Sequence, residues 1–159
     1  MLIVGLNHGE INSSAAIYAD GSVQAGAPEE RFNRQKLTRL FPAGALKYCL
    51  DFVGAELGDV DCVGQAWNPG ALWQKYNPAI STHRTRKEDY FYSVPDHLLN
   101  FVAREPGDWV SMNFSPEAPI PSIYYINHHL THSANGFFLS PFEEAAILTA
   151  DWRGETECM

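Results

Sequence analysis

Three short apolar runs at the amino terminus, separated by polar loops, constrain the fold of this chain more than any other feature. Residues 2–7 are predicted to form a buried strand, Ser14 to Tyr18 a second strand and Ser22 to Ala27 a third. Asp20-Gly21 is a strong signal for a tight turn between the last two. Because strands joined by such short loops pair with their neighbours in sequence, the pattern predicts an antiparallel three-strand meander.

Helical and strand-like patterns alternate after the meander. Beyond a polar, basic segment over 29–40, Pro42 is predicted to open a helix that ends at Gly54 or Gly58, with apolar residues at spacings of three and four. The later predicted elements are a strand over 61–67, a stretch over 68–94 that is mostly loop with room for a short helix, a short helix over 95–104, a proline-rich connection over 105–121, a strand over 122–127, a helix over 128–138 and a strand over 144–151.

The order of these elements defines a fold class. An α/β chain with an amino-terminal meander, a mixed sheet and flanking helices matches the ribonuclease-H-like half-domain of the actin-like ATPase superfamily. Such folds normally contain two halves with the ligand between them, and only one half is predicted here. The chain stops in a loop that directly follows the last predicted strand and has the character of a functional loop. We therefore expect the chain to be a fragment of a longer protein.

Charge and hydropathy narrow the classes of partner. The chain carries 11 Lys and Arg residues against 19 Asp and Glu residues, a balance that disfavours a nucleic-acid binder. No run approaches the roughly 18 apolar residues that cross a bilayer, and no signal peptide is recognisable at the start. We therefore expect a cytoplasmic protein with no membrane partner. Its cysteines, Cys49, Cys62 and Cys158, form no CxxC pair and predict neither a disulfide framework nor a thiolate zinc site.

A histidine-rich segment over 127–134 is the strongest candidate for chemistry. His128 and His132 lie at i and i+4 of the predicted helix, which places both rings on one face, as in the zinc motif HExxH. Asp151 ends the predicted strand 144–151, so its carboxylate reaches the same sheet edge if the two strands are neighbours. Two imidazoles and one carboxylate suit iron(II), manganese or zinc, and they leave open positions for substrate.

The histidine pattern also has a purely structural interpretation. Histidines can line a helix face as packing or hydrogen-bonding groups, and an isolated pair has this role more often than a metal-binding role. His129 points away from the axis that His128 and His132 share. It would either orient substrate or cap the preceding strand.

The loop after the first strand is a second candidate site. Its small residues and side-chain donors could cradle an anion, with His8, Asn12 and Ser13 as the residues of interest. Glycine and serine at a hairpin are also ordinary turn residues, so the structural interpretation stays open.

The basic segment after the third strand is a third candidate site. Arg31, Arg34 and Lys36 could hold a phosphate or a nucleotide. The alternative is a salt-bridged surface segment in which Glu29 and Glu30 are the partners of these cations.

Three blocks of sequence point to a known family. They are GLNHGEINSSAAIYADG, then EERFNRQK with FPAGALKYCL after it, and finally NHHLTHSANGFFLSPFEEAAILTADWRGE. Together they resemble the nodulation-U/novobiocin-type O-carbamoyltransferases, over nearly the whole chain and in the family's order and spacing.

The resemblance implies a two-domain enzyme. An actin-like transferase domain, related to the threonylcarbamoyl-adenosine tRNA enzymes, would be followed by a YrdC-like domain that makes carbamoyl adenylate from carbamoyl phosphate and ATP. The transferase domain would pass the carbamoyl group to a hydroxyl of a small molecule or sugar, with a mononuclear metal as Lewis acid. This chain would be the amino-terminal part of the transferase domain, inactive alone, and a homodimer stays open.

The resemblance also assigns residues to the metal. The family's two histidines and first aspartate correspond to His128, His132 and Asp151, whereas a further family aspartate would lie beyond Met159. Trp152 stands where the family usually has a small glycine, so either access of the acceptor would differ here or the acceptor would be a specialised one.

Other candidate residues would act on the acceptor and on the adenylate. His8 is the candidate general base, or the residue that positions the acceptor. Arg31, Arg34 and Lys36 would bind the adenylate phosphate or shape the acceptor pocket. Two other functions compete: a non-catalytic nucleotide-binding module, which would not depend on His128, and a simple metal-dependent hydrolase, which would be active as this chain alone.

Overall fold

The fold is a mixed α/β structure built on a five-stranded sheet, described by a computed structural model for residues 1–9, 11–68, 90–103, 120–151 and 154. The strands are β1 (Leu2–Asn7), β2 (Ser14–Ala19), β3 (Ser22–Pro28), β4 (Cys62–Gln65) and β5 (Ser122–Tyr125). The helices are α1 (Glu30–Asn33), α2 (Ala43–Val53), α3 (Tyr90–Ala103) and α4 (His128–Phe138), with a 3₁₀ turn over Leu57–Asp59.

The sheet is mixed and contains the predicted antiparallel meander. Its strand order is β3-β2-β1-β4-β5. β1 pairs antiparallel with β2, β2 pairs antiparallel with β3, and β1 pairs in parallel with β4. The amino-terminal meander and the parallel strand that follows a helix confirm the predicted ribonuclease-H-like half-domain.

One face of this sheet forms the core. Val4 of β1 is paired with Ile17 of β2 on one side and with Val63 of β4 on the other, and all three are fully or almost fully buried. Helix α2 packs on β2 and β3 through a buried stripe that includes Leu46 and Cys49. Cys49 is fully buried, and this burial raises the pKa of its thiol.

Helix α2 receives its amino-terminal cap from a distant part of the chain. Its N-cap residue, Pro42, makes no side-chain capping bond. The buried carboxylate of Glu29 instead accepts hydrogen bonds from the backbone N–H groups of Gly44 at 3.3 Å and Ala45 at 2.8 Å. A negative group at this end also complements the helix dipole. The other end is closed by Gly54, whose φ of 69° is the left-handed conformation that glycine adopts without strain.

Two sequence predictions are wrong. Helix α3 begins at Tyr90 rather than at Pro95, because Val94 and Leu98, one turn apart, are both fully buried and extend the apolar face toward the amino terminus. The predicted strand over 144–151 is irregular, because it pairs with no strand among the described residues and Leu148 is 93% exposed.

Smaller differences concern the ends of elements. β4 and β5 are shorter than predicted, and the basic segment contains the four-residue helix α1. α4 has the predicted bounds. Predictions for 69–89, for 104–119 and for Trp152 and Cys158 lie outside the described residues. Within the described ranges, no helix is both long and apolar enough to cross a membrane.

Candidate metal centre

The chain divides into two compact units, which are described separately. The first comprises residues 1–65 and 89–124, and the second comprises 66–88 and 125–159. The three predicted metal ligands all belong to the second unit.

Helix α4 places the two histidines of the candidate centre. The Oδ1 atom of Asn127 accepts hydrogen bonds from the backbone N–H groups of His129 at 3.0 Å and Leu130 at 3.3 Å. This side-chain cap satisfies donors that a helix start would otherwise leave without partners. Since the helix begins at His128, His128 and His132 lie one turn apart on one face.

The donor atoms of the three predicted ligands converge on one point. The Nε2 atom of His128 lies 2.8 Å from Oδ2 of Asp151 and 3.1 Å from Nε2 of His132. His132 Nε2 is in turn 3.3 Å from the same carboxylate oxygen. Atoms bound to one ion at about 2.0–2.2 Å stand about 3 Å from one another, so this triangle fits a single small cation.

The hydrogen-bond chemistry of this triangle requires a cation or a proton among its three atoms. The Nδ1 atom of His128 lies 3.3 Å from the carbonyl oxygen of Ala66. If the neutral ring donates there, its Nε2 lone pair faces a carboxylate oxygen and a second imidazole nitrogen. Acceptors that face each other are unfavourable unless a cation or a proton lies between them.

The exposure of the ligands leaves one side of the centre open. The side chain of His128 is 14% exposed, that of Asp151 36% and that of His132 49%. Three protein ligands with solvent on one side resemble catalytic metal sites, which keep coordination positions for water or substrate. His129 is no part of the triangle; it is buried, and its Nε2 atom makes no hydrogen bond with any described residue.

His8 occupies an aromatic cluster in the first unit. Its ring meets Phe41 edge-on at a centroid distance of 5.4 Å and His97 edge-on at 5.7 Å, while Phe41 and His97 stack on each other. Burial, and secondarily the charge of His97, lowers the pKa of His8 from 6.5 to about 4, although a hydrogen bond with Gln65 opposes the shift. At neutral pH the ring is therefore uncharged, the form that a general base requires.

The lowered pKa of His8 predicts a pH-dependent stability. The unfolded chain binds this proton more tightly than the folded chain, so the contribution is complete above about pH 6.5 and is lost as the pH falls toward 4. The loss attributable to this residue is about 3 kcal/mol at most. Chemical denaturation across this pH range should show a shallower dependence for His8→Gln than for the wild type. A His8 titration midpoint near 6.5 by NMR would contradict the prediction.

Hydrogen bonds between backbone groups hold the loop that carries Asn12 and Ser13 in place. Ser13 N–H donates to the carbonyl of Thr38, and the Ser13 carbonyl accepts from Glu29 N–H. Ser13 is fully buried, and its hydroxyl has no hydrogen-bond partner among the described residues. Asn12 is exposed, with a left-handed φ of 62°. Their role in anion binding stays a prediction.

The three basic candidates lie on the surface of the first unit. Arg31, Arg34 and Lys36 are exposed. Lys36 Nζ is 3.1 Å from a carboxylate oxygen of Glu30, the ion pair that the structural alternative predicted. Glu29, by contrast, caps α2. The phosphate-binding role of the three cations stays a prediction.

The sequence did not predict two aromatic contacts with the candidate site residues. Trp67, which follows β4, stacks on His128, and His97 of α3 packs against His8. The available signals were an aromatic residue immediately after a buried strand and a histidine on an amphipathic helix. Neither signal is specific without the tertiary contacts.

Comparison with known proteins identifies the family. The chain belongs to the family described as carbamoyltransferase N-terminus, whose sequence profile matches residues 3–158. This match confirms the resemblance carried by the three sequence blocks.

Two individual relatives share 29% identity with this chain and are much longer. The uncharacterized protein sll1178 of Synechocystis sp. is 29% identical over 168 residues, which cover 96% of this chain and 26% of that protein. Nodulation protein NolNO of Sinorhizobium fredii is 29% identical over 146 residues, which cover 91% of this chain and 20% of that protein. The solved structure of YeaZ from Pseudomonas aeruginosa aligns with a TM-score of 0.33 and 19% identity, over 43% of this chain and 30% of its own.

Proposed function

We propose that this chain supplies the metal-binding part of a carbamoyltransferase that moves a carbamoyl group from carbamoyl adenylate to a hydroxyl of a small molecule or sugar. The observation that carries the proposal is the convergence of His128, His132 and Asp151 on one point. Membership of the carbamoyltransferase N-terminus family supports the reaction class. The chain spans at most about a quarter of the two relatives' lengths, so the activity is proposed for a longer protein.

The donor set limits the choice of metal. Two imidazole nitrogens and a carboxylate oxygen suit iron(II), manganese or zinc. When bound, such an ion supplies a Lewis acid that polarises a carbonyl oxygen or acidifies a hydroxyl. The open side, next to the exposed His132, is where an acceptor or carbamoyl oxygen would approach.

The remaining chemistry is that of acyl transfer. The acceptor oxygen forms a bond to the carbamoyl carbon, the bond from that carbon to the adenylate phosphate oxygen breaks, and AMP leaves. The acceptor proton passes to a base, for which His8 is the candidate because its ring is neutral at pH 7. Arg31, Arg34 and Lys36 are the candidate anion-binding residues.

A separation of the two half-reactions tests the function. A protein that contains this chain and an adenylate-forming domain would be supplied with carbamoyl phosphate, ATP and a panel of hydroxyl compounds. Pyrophosphate release reports formation of the adenylate, and mass spectrometry reports the carbamoylated product. His128→Ala should abolish the product but retain pyrophosphate release, because the residue belongs to the transfer step.

The matched control changes an exposed residue of the first unit that does not belong to the metal triangle. Lys47→Ala removes an exposed cation that pairs with Asp51, and it should leave both half-reactions unchanged. Undiminished product with His128→Ala would refute the role of His128 as a metal ligand in the transfer step. Nucleotide binding by the wild type without any transfer would favour the non-catalytic alternative. The 159-residue chain alone should show no transfer.

A further inference from the structure

We propose that Trp67 is a positioning residue for the metal ligand His128, and that its indole ring selectively favours the metal-bound state. The inference rests on the proposed metal centre and adds a residue outside the ligand set. Both residues belong to the second unit.

The contact between the two rings is a close parallel stack. The ring centroids of Trp67 and His128 are 3.9 Å apart, and the planes differ by 3°. Trp67 is only 3% exposed, so the surroundings of the indole hold its own plane in place. A fixed indole therefore fixes the plane in which the His128 nitrogens lie, and this plane contains the direction of the Nε2 lone pair.

Ala66, the residue before Trp67, fixes the remaining rotation of the His128 ring. The carbonyl oxygen of Ala66 lies 3.3 Å from His128 Nδ1, on the opposite side of the imidazole from Nε2. A carbonyl that accepts from one ring nitrogen sets the tautomer and leaves the other nitrogen free to bind a metal. Two consecutive residues thus orient His128, one through the ring face and the other through the ring edge.

Electrostatics gives the stack a preference for the loaded centre. An imidazole that binds a divalent cation carries more positive charge than the neutral ring. The face of an indole is negative and attracts positive groups, most strongly where water is excluded. The buried face of Trp67 should therefore attract the metal-bound form of His128 more than the free form.

An ordinary core tryptophan provides the competing explanation. In that case Trp67 would only fill space, and its replacement would lower stability without changing the affinity of the folded chain for metal. Phenylalanine and leucine both remove volume at this position, but only phenylalanine keeps an aromatic face. A comparison of Trp67→Phe with Trp67→Leu therefore separates the two explanations.

The test uses cobalt(II) as the probe with the 159-residue chain. Affinity is measured by calorimetry and by visible absorption, and thermal stability is measured without metal. We expect about tenfold weaker cobalt binding for Trp67→Leu, within the range found for residues that support metal ligands, and a change of less than about threefold for Trp67→Phe. Leu46→Ala, which changes a buried residue of the first unit, should lower stability but leave cobalt affinity unchanged.

Fluorescence supplies a second measurement. Cobalt bound beside a stacked indole should quench the Trp67 emission, so the wild type should lose a component that Trp67→Phe lacks. Equal cobalt affinity in wild type and Trp67→Leu, in chains that remain folded, would overturn the role of Trp67 and leave the metal centre standing. Absence of cobalt binding in the wild type, both as the 159-residue chain and in a longer chain that contains the further aspartate, would overturn both.

Discussion

Replacement of Asp151 by asparagine is expected to weaken divalent-metal binding by more than about 100-fold, since even residues that only support a ligand contribute 10–100-fold. Asparagine keeps the shape of the side chain but removes the negative charge that faces two imidazole nitrogens at 2.8 and 3.3 Å. A neutral amide oxygen is a much weaker ligand for iron(II), manganese or zinc. Calorimetric titration with zinc and with manganese measures the change.

A surface carboxylate gives the matched control for this substitution. Asp51 pairs with Lys47 on an exposed face of α2, and Asp51→Asn removes the same charge. It should leave metal affinity unchanged within experimental error. An Asp151→Asn chain that binds as tightly as the wild type would show that the carboxylate is only a hydrogen-bond partner of the histidines.

Replacement of Glu29 by alanine is expected to destabilise the chain by about 2–3 kcal/mol. The buried carboxylate satisfies two backbone N–H groups at the start of α2, at Gly44 and Ala45, and no capping side chain at Pro42 can replace it. Truncation would leave these donors without partners, and it would remove the favourable interaction with the helix dipole. Urea denaturation followed by circular dichroism measures the loss.

Two further variants identify the cause of this loss. Glu29→Gln keeps an acceptor oxygen but not the charge, so we expect a smaller destabilisation. Asp51→Ala removes an exposed carboxylate of the same helix, and its cost should stay below about 1 kcal/mol. If Glu29→Ala cost no more than Asp51→Ala, the cap would not stabilise the fold.

Features that depend on local sequence were predictable. The meander follows from alternating burial in short strands and from the Asp20-Gly21 turn, both of which involve neighbours in sequence. The bounds of α4 follow from the Asn127 cap, and the i, i+4 spacing places His128 beside His132. These predictions needed no knowledge of distant contacts.

Features that depend on tertiary contacts were not predictable. The apolar run before Asp151 has the composition of a strand, but a strand also requires a partner, and no described residue provides one. Asp151 nevertheless reaches the histidines, so its proximity was predicted correctly and the reason given for it was wrong. The cap from Glu29 to α2 and the stack of Trp67 on His128 join residues more than a dozen positions apart.

The central claim is that the second unit holds one divalent ion through His128, His132 and Asp151. The most direct measurement is metal content after purification, together with calorimetric titration of the metal-free chain, for the wild type beside His132→Ala. Because His132 is the most exposed of the three ligands, its truncation should disturb the fold least. The account predicts about one ion per wild-type chain and none in the variant. Equal binding by the variant would contradict it, and so would a lack of binding by the wild type that persists in a longer chain containing the further aspartate.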